Sequence, residues 1–170
     1  MNVSFFPAIG SLLLLLAAVT SCGQSESASA PQSGFTMQAT KDAAPWAAPA
    51  TATFSKARKE FYVLGQAGDA AKADVLSLGF ALPAWPQPAP VQAVPATWRV
   101  LLGFDALTDS YATADAAGLP QVEITRLDTA SRVVEGRFQA TLLREKQWTP
   151  KTETMVLKNG SFRARYTLVP

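Results

Sequence analysis

Alternation of side chains with a period of two residues is the feature of this sequence that most limits its fold. Between residues 133 and 142, one set of alternate positions is apolar or small and the other is mostly polar. A period of two places the two sets on opposite faces of a β-strand, as in antiparallel strands with one wet face. The first set is Val134, Gly136, Phe138, Ala140 and Leu142; the second is Val133, Glu135, Arg137, Gln139 and Thr141.

The chain from residue 35 onward repeats such segments, separated by turns, and no stretch longer than about ten residues keeps a helical period. We therefore predict an all-β domain, an antiparallel sandwich or small barrel of about 8–10 short strands. Nothing in the sequence separates a filled sandwich from a hollow barrel. The predicted strands span residues 35–40, 51–55, 60–65, 74–82, 97–104, 110–114, 121–125, 133–142, 152–158 and 161–168.

Three turns between these strands are predicted from residue type. Asp42-Ala43 follows the first strand, and the basic segment Lys56–Lys59 joins the next two. Asn159-Gly160 separates the last two strands. Asn-Gly is the strongest two-residue hairpin signal, because both residues tolerate positive φ. The sequence therefore predicts that the chain ends in a hairpin.

Two of the predicted strands each present one apolar face to a core. A period of two aligns side chains that are two residues apart, so each set below shares a face. The strand over residues 74–82 contributes Leu76, Leu78, Phe80 and Leu82. The strand over residues 161–168 contributes Phe162, Ala164, Tyr166 and Leu168, which leaves Arg163 and Arg165 outside.

The segment 83–95 contains five prolines and is predicted to be a long loop. Proline lacks the N–H group that a sheet ladder needs and favours an extended polyproline conformation. Long loops in compact domains are often functional. Trp85 lies in this segment, where it either packs on the sheet or is exposed for binding.

The segment 12–22 determines where the protein is expected to reside. Val19-Thr20-Ser21-Cys22 has the form of a bacterial lipobox, and residues 9–19 form an apolar stretch too short to span a bilayer. Cleavage before Cys22 and acylation of its thiol would anchor the protein, since each buried methylene contributes roughly 0.8 kcal/mol. We predict a signal peptide over residues 1–21 and a membrane-anchored lipoprotein of the cell envelope.

Residues 22–34 contain the lipidated Cys22 and a segment with no aromatic or branched aliphatic residue. Such a composition predicts a flexible tether with a reach of about 20 Å. Gly23 and Gln24 place no aspartate after the cysteine, which favours the outer membrane in the enterobacterial sorting scheme. Residues 35–170 have a length that suits a single all-β domain.

Composition excludes several chemistries. The chain has no histidine, and its one cysteine, Cys22, would be acylated. Catalytic triads of serine or cysteine with histidine and the zinc-protease motif are therefore impossible, and no phosphate-binding glycine motif is present. We predict no cofactor and no metal. Calcium at Asp105, Asp109 and Asp115 is disfavoured because their spacing matches no EF-hand loop.

Basic residues are concentrated late in the chain. Residues 126 to 165 contain nine Lys or Arg and four Asp or Glu. Such a segment either faces anionic groups, such as lipid head groups or acidic glycans, or is the solvated face of mixed-sign strands. The solvated face is the favoured interpretation, and no nucleic-acid partner is predicted.

The final fifty residues carry a pattern that resembles a known family. The pattern is Val122-x-Ile124-Thr125-x-x-Asp128, then Val134-x-Gly136-x-Phe138-x-Ala140, then Asn159-Gly160-x-Phe162-x-Ala164-x-Tyr166. It is similar to the C-terminal signature of small Bacteroidetes lipoproteins with a domain of unknown function. Met37 to Trp46 resembles that family's opening strand and turn, with Ala43 in the place of its usual glycine. The resemblance implies a lipid-anchored all-β envelope domain and no reaction.

Three functions remain open from the sequence. The first is a non-enzymatic binding or accessory module for an envelope protein or glycan, with Trp85, Trp98 and Trp148 as candidate contacts or as core residues. The second is a barrel-type carrier of a small apolar ligand. The third, and least favoured, is a carboxylate hydrolase using Glu123 and Glu135.

Overall fold

The computed structural model describes residues 34–84, 88–115 and 118–170 and confirms the all-β fold. The described residues belong to one compact unit. The predicted signal peptide, Cys22 and the tether up to residue 33 lie outside them. The strands are β1 Thr36–Lys41, β2 Ala44–Ser55, β3 Glu60–Gly68, β4 Ala73–Ala81, β5 Ala89–Val91, β6 Ala93–Leu102, β7 Ala106–Ala112, β8 Gln121–Asp128, β9 Val133–Arg144 and β10 Thr154–Val169.

All ten strands form a single sheet in the order β1-β10-β2-β3-β4-β6-β7-β9-β8-β5. Additional pairings of β1 with β2 and of β10 with β9 bring this sheet round until it nearly closes into a ring. The neighbours are antiparallel except β10 and β2, which pair in parallel over Arg165–Val169 and Thr51–Ser55. Of the two predicted architectures, the small barrel describes this single curled sheet.

The interior of the ring is filled by side chains from the inward faces of the strands. Phe61 stacks on Phe80 at 5.5 Å between ring centroids, and Phe80 stacks on Phe162 at 5.7 Å. Tyr166 meets Phe61 edge-on at 5.1 Å. Leu76, Leu78, Phe80, Phe162, Ala164 and Tyr166 are all buried, as predicted. Arg163 and Arg165 are exposed, also as predicted.

Two residues predicted to face the core are exposed instead. Leu82 is 48% exposed because β4 ends at Ala81, so the alternation no longer applies to it. Leu168 is 41% exposed, near the end of β10. At that position β10 pairs with β2 at Phe54 and has passed the last residue that pairs with β9. The predicted alternation of inward and outward side chains was correct in both strands, but it was continued past the last residue that faces the core.

The predicted hairpin at Asn159-Gly160 is wrong. Residues 154 to 169 form one continuous strand, β10, and both halves of it pair with the same partner, β9. The register shifts between Leu157 and Gly160, which marks a β-bulge. Asn159 has φ of 52°, but Gly160 is not in the positive-φ region that a tight Asn-Gly turn requires of both residues. The chain therefore bends at this bulge and does not reverse.

The proline-rich segment 83–95 was predicted to be a loop throughout, and this prediction is only partly correct. The segment contains the short strand β5, which pairs with β8, and the first residues of β6. Pro90 lies in β5, the last strand in the sheet order, where the missing N–H costs no ladder bond on the free side. Pro95 lies where the pairing of β6 with β4 shifts register, and bulges also tolerate proline.

The other two predicted turns, at Asp42-Ala43 and Lys56–Lys59, are confirmed. Asp42 and Ala43 connect β1 to β2 with φ of 46° and 71°, the conformation of a two-residue hairpin turn. The segment Lys56–Lys59 connects β2 to β3, and Lys59 has φ of 56°. The turn between β8 and β9 begins at Asp128, whose carboxylate accepts hydrogen bonds from the N–H groups of Ala130 and Ser131. These bonds lower the pKa of Asp128 below its ordinary value, with Ser131 contributing most.

Candidate functional site

The three tryptophans proposed as contacts occupy different environments. Trp85 lies outside the described residues. Trp98 is fully buried, 5.0 Å from the ring of Trp46, and the ammonium group of Lys41 lies 4.5 Å above its ring. Trp148 is half-buried and donates its indole N–H to the hydroxyl of Ser110 at 2.7 Å. The structure does not bring Trp98 and Trp148 together on an exposed surface.

Trp148 belongs to a polar cluster that fastens the segment after β9 to β7. The buried hydroxyl of Ser110 also donates a hydrogen bond to Glu145. Beside it, Arg144 donates to Asp109 and to Glu153, both at 2.8 Å. These two carboxylates, Asp109 first, raise the pKa of the Arg144 guanidinium. Every polar group named here is satisfied by another, which is typical of a structural brace.

A groove lies on the outside of the sheet, across β8, β9 and β10. Its volume is about 670 Å³, a size that suits a small ligand. Pro90 of β5 forms one side, and the Asn159-Gly160 bulge forms the other. The remaining lining residues are Gln121, Val122, Glu123, Arg137, Phe138, Gln139 and Ser161.

Strand pairing determines how these side chains are arranged. Gln121 lies opposite Gln139, and Glu123 lies opposite Arg137. Arg137 lies opposite Ser161 on its other side. Directly opposite residues in a sheet have their Cβ atoms about 5 Å apart, so these pairs form adjacent polar rows. Ser161 accepts a hydrogen bond from the side chain of Gln38 at 3.1 Å, which extends the polar surface onto β1.

Three carboxamides, those of Gln121, Gln139 and Asn159, line this groove and are exposed. Their side chains make no hydrogen bond to other described residues. A carboxamide offers two N–H donors and one carbonyl acceptor. Six donors and three acceptors are therefore free to bind a ligand that presents both donors and acceptors.

Two shallower grooves continue this surface. One, of about 260 Å³, shares Gln121 and Gln139 with the main groove and reaches Lys158. The other, of about 370 Å³, shares Asn159 and extends to Trp46 and Gln38. The main groove shares lining residues with each of the other two, so the three grooves form an extended open surface.

Of the two carboxylates proposed for hydrolysis, Glu123 lines the main groove and Glu135 does not. Glu123 is the one carboxylate among the residues that line the main groove. Glu135 accepts ion pairs from Arg163 at 3.2 Å and Arg126 at 3.8 Å. Within the described residues there is no group of three carboxylates or thiols that could hold a metal ion.

Few features of the sequence indicate this groove. Gln121, Gln139 and Arg137 were predicted to lie on the wet face of their strands, which is correct, but wet faces are common. The concavity depends on the bulge at Asn159, and that position was interpreted as a turn. An Asn-Gly pair between two halves of one long alternating pattern is the sequence signal for this bulge.

No protein-family model matches this chain, and neither a curated protein nor a solved structure was found to be similar to it. A search of the described residues for a helix of sufficient length and hydropathy to cross a membrane found none.

Proposed function

We propose that this protein is a lipid-anchored component of the cell envelope whose β-domain is a non-enzymatic binding module for a glycan. The anchor is the lipobox cysteine, Cys22. The binding surface is the groove across β8, β9 and β10. The observation that carries the proposal is the set of three unbonded carboxamides in one groove of about 670 Å³.

The chemistry of the groove suits a sugar. Each sugar hydroxyl both donates and accepts hydrogen bonds, and a carboxamide does the same. The two groups therefore pair through hydrogen bonds in which neither partner is charged. The main groove shares residues with two neighbouring grooves, so an extended chain of several sugars has room to continue from it. The filled interior of the ring offers no comparable support for a carrier of a small apolar ligand.

Glycan binding is tested by screening soluble fragments of cell-envelope polysaccharides against the purified domain, followed by calorimetry on those retained. The double variant Gln121→Ala, Gln139→Ala should weaken binding by about tenfold or more, because each hydrogen bond contributes about 1 kcal/mol. Both side chains are exposed, so the melting temperature should be unchanged.

The matched control is Gln66→Ala, an exposed glutamine on β3 outside the groove, which should leave binding unchanged. Equal loss in this control and in the double variant would contradict the proposed site. If the purified domain retained an envelope protein and no glycan, the groove would be assigned to a protein partner.

A further inference from the structure

The chain enters the described domain at one end of the ring, called here the tether end. The tether end comprises Gly34 and Phe35, the β2–β3 turn 56–59, Leu82, the β8–β9 turn 129–132 and the last part of β10, residues 163–170. Hydrogen bonds join most of these parts: Lys56 N–H donates to Val169, Leu82 N–H to Lys59, and Tyr166 N–H to Arg132. Phe35 is linked to them through its ring, over which the guanidinium groups of Arg163 and Arg165 lie at 5.4 and 5.1 Å. Any anchor before residue 34 is therefore attached to the domain at this end of the ring.

The tether end carries six cationic side chains, and the segments that define it contain no aspartate or glutamate. Lys56, Arg58, Lys59, Arg132 and Arg165 are exposed and form no ion pair with a described residue. The sixth, Arg163, pairs with Glu135, and the bordering carboxylates Glu60 and Asp128 bond to Tyr62 and to Arg126. Positive charge therefore remains in excess.

Two of these cations occupy backbone positions that lysine and arginine rarely adopt. Lys59 has φ of 56° and Arg132 has φ of 55°. Asparagine and glycine adopt this left-handed conformation at lower cost, so a longer side chain is retained there against backbone preference. Residues in sparsely populated conformations are found more often at functional sites.

Exposed apolar side chains lie among the cations. Leu82, Leu168 and Val169 are 48%, 41% and 36% exposed. Leu82 adjoins Lys59 through a backbone hydrogen bond, and Val169 adjoins Lys56 in the same way. Basic and apolar side chains on one surface are the combination that binds the interface of an anionic bilayer.

The opposite end of the ring lacks this excess of positive charge. Seven carboxylates there outnumber the six nearby cations, which are Lys41, Lys72, Arg99, Arg144, Lys146 and Lys151. These carboxylates are Asp42, Asp69, Asp74, Asp105, Asp109, Glu145 and Glu153. The charge of the domain is therefore polarised along the direction from its opposite end to the tether end.

We infer that the tether end docks directly on an anionic phospholipid surface and holds the domain in a fixed orientation beside its anchor. The cations lie against lipid phosphates, and the three apolar side chains enter the interface between head groups and acyl chains. The opposite end then faces away from the bilayer. This inference rests on the proposed lipid anchoring, since a tether at Gly34 brings this end close to the membrane.

The test separates docking from acylation by using residues 23–170, which lack Cys22 but contain the whole compact unit. Sedimentation with vesicles of phosphatidylglycerol and phosphatidylcholine should capture the protein at low salt and release it at high salt. Pure phosphatidylcholine vesicles should not capture it. The triple variant Lys56→Gln, Lys59→Asn, Arg132→Asn should weaken capture on the order of a hundredfold, from about fivefold per cation.

Asparagine relieves the backbone at positions 59 and 132, so the melting temperature of the triple variant should stay equal or rise. A binding loss with intact folding can then be assigned to charge. The matched control Lys72→Gln, Lys146→Gln, Lys151→Gln removes three exposed cations from the opposite end and should bind as the parent does. The inference is overturned if the parent ignores anionic vesicles, or if the control loses as much as the triple variant. Failure of the anchor appears separately, as unchanged membrane fractionation of the full-length Cys22→Ala protein at high salt, where docking alone would release it.

Discussion

Six residues other than glycine adopt positive φ in the described part of the chain, and each lies in a turn or at the bulge of β10. Asp42 and Asn159 are of the types that tolerate this conformation. The other four, Ala43, Lys59, Phe104 and Arg132, are not. Each of these has a Cβ atom that crowds the backbone there, at a cost of roughly 1–2 kcal/mol. The fold is stable enough to hold them in place.

Replacing Ala43 with glycine should stabilise the protein. Ala43 has φ of 71° at the second position of the β1–β2 turn, and glycine adopts this conformation without the Cβ penalty. The greater freedom of glycine in the unfolded chain offsets part of the gain. We expect the free energy of unfolding, measured in urea, to rise by about 0.5–1 kcal/mol.

The neighbouring substitution Ala44→Gly provides the control for Ala43→Gly. Ala44 is exposed at the start of β2, and its φ is not positive. Glycine there should lower stability by about 0.5–1 kcal/mol through backbone entropy alone. If both variants were destabilised alike, strain at Ala43 would not be the cause.

At the level of the element, the bulge in β10 bends that strand and forms one side of the groove. Gly160 follows Asn159 and lies opposite Phe138 of β9. A Cβ atom on Gly160 would lie 2.6 Å from three ring carbons of Phe138, closer than any van der Waals contact. Glycine is therefore needed for close approach of the bulge to β9, and not for positive φ.

Replacing Gly160 with alanine should lower the free energy of unfolding by about 1–3 kcal/mol, the usual cost of overpacking a core. Phe138 is buried beside Phe162 and has little room to move. Gly118→Ala is the control, because its Cβ would find no atom nearer than 3.7 Å, and it should change stability by less than about 0.5 kcal/mol. Equal stability of the two variants would contradict this account of the bulge.

How far the sequence predicts these elements depends on whether the signal is local. Strand alternation predicted the inward faces of β4 and β9 correctly, because a period of two needs no knowledge of the partner strand. Asn159-Gly160 was misinterpreted because the same dipeptide serves a turn or a bulge, and only pairing with β9 decides between them. The groove depends on that pairing, so it was missed together with it.

For the whole molecule, the weakest join in the ring is the one between β7 and β9. Only Tyr111 with Arg144 and Ala112 with Leu143 pair there. Side chains compensate, since Arg144 bonds to Asp109 of β7 and to Glu153 just before β10. The guanidinium of Arg144 therefore links three segments of the chain at a place where only two residue pairs join the backbones of β7 and β9.

Removing this guanidinium should therefore loosen the join before it loosens the rest of the ring. In Arg144→Gln, we expect a lower melting temperature and faster hydrogen exchange at the amides of β7, because Asp109 and Glu153 lose their shared cation. Amides of β3 and β4, which pair along nine residues, should keep their protection. Arg137→Gln removes an exposed arginine from the same strand, one that has no ion pair among the described residues, and should alter neither property. Faster exchange spread evenly over the whole sheet would show that the ring opens as one unit and that the join is not its weak point.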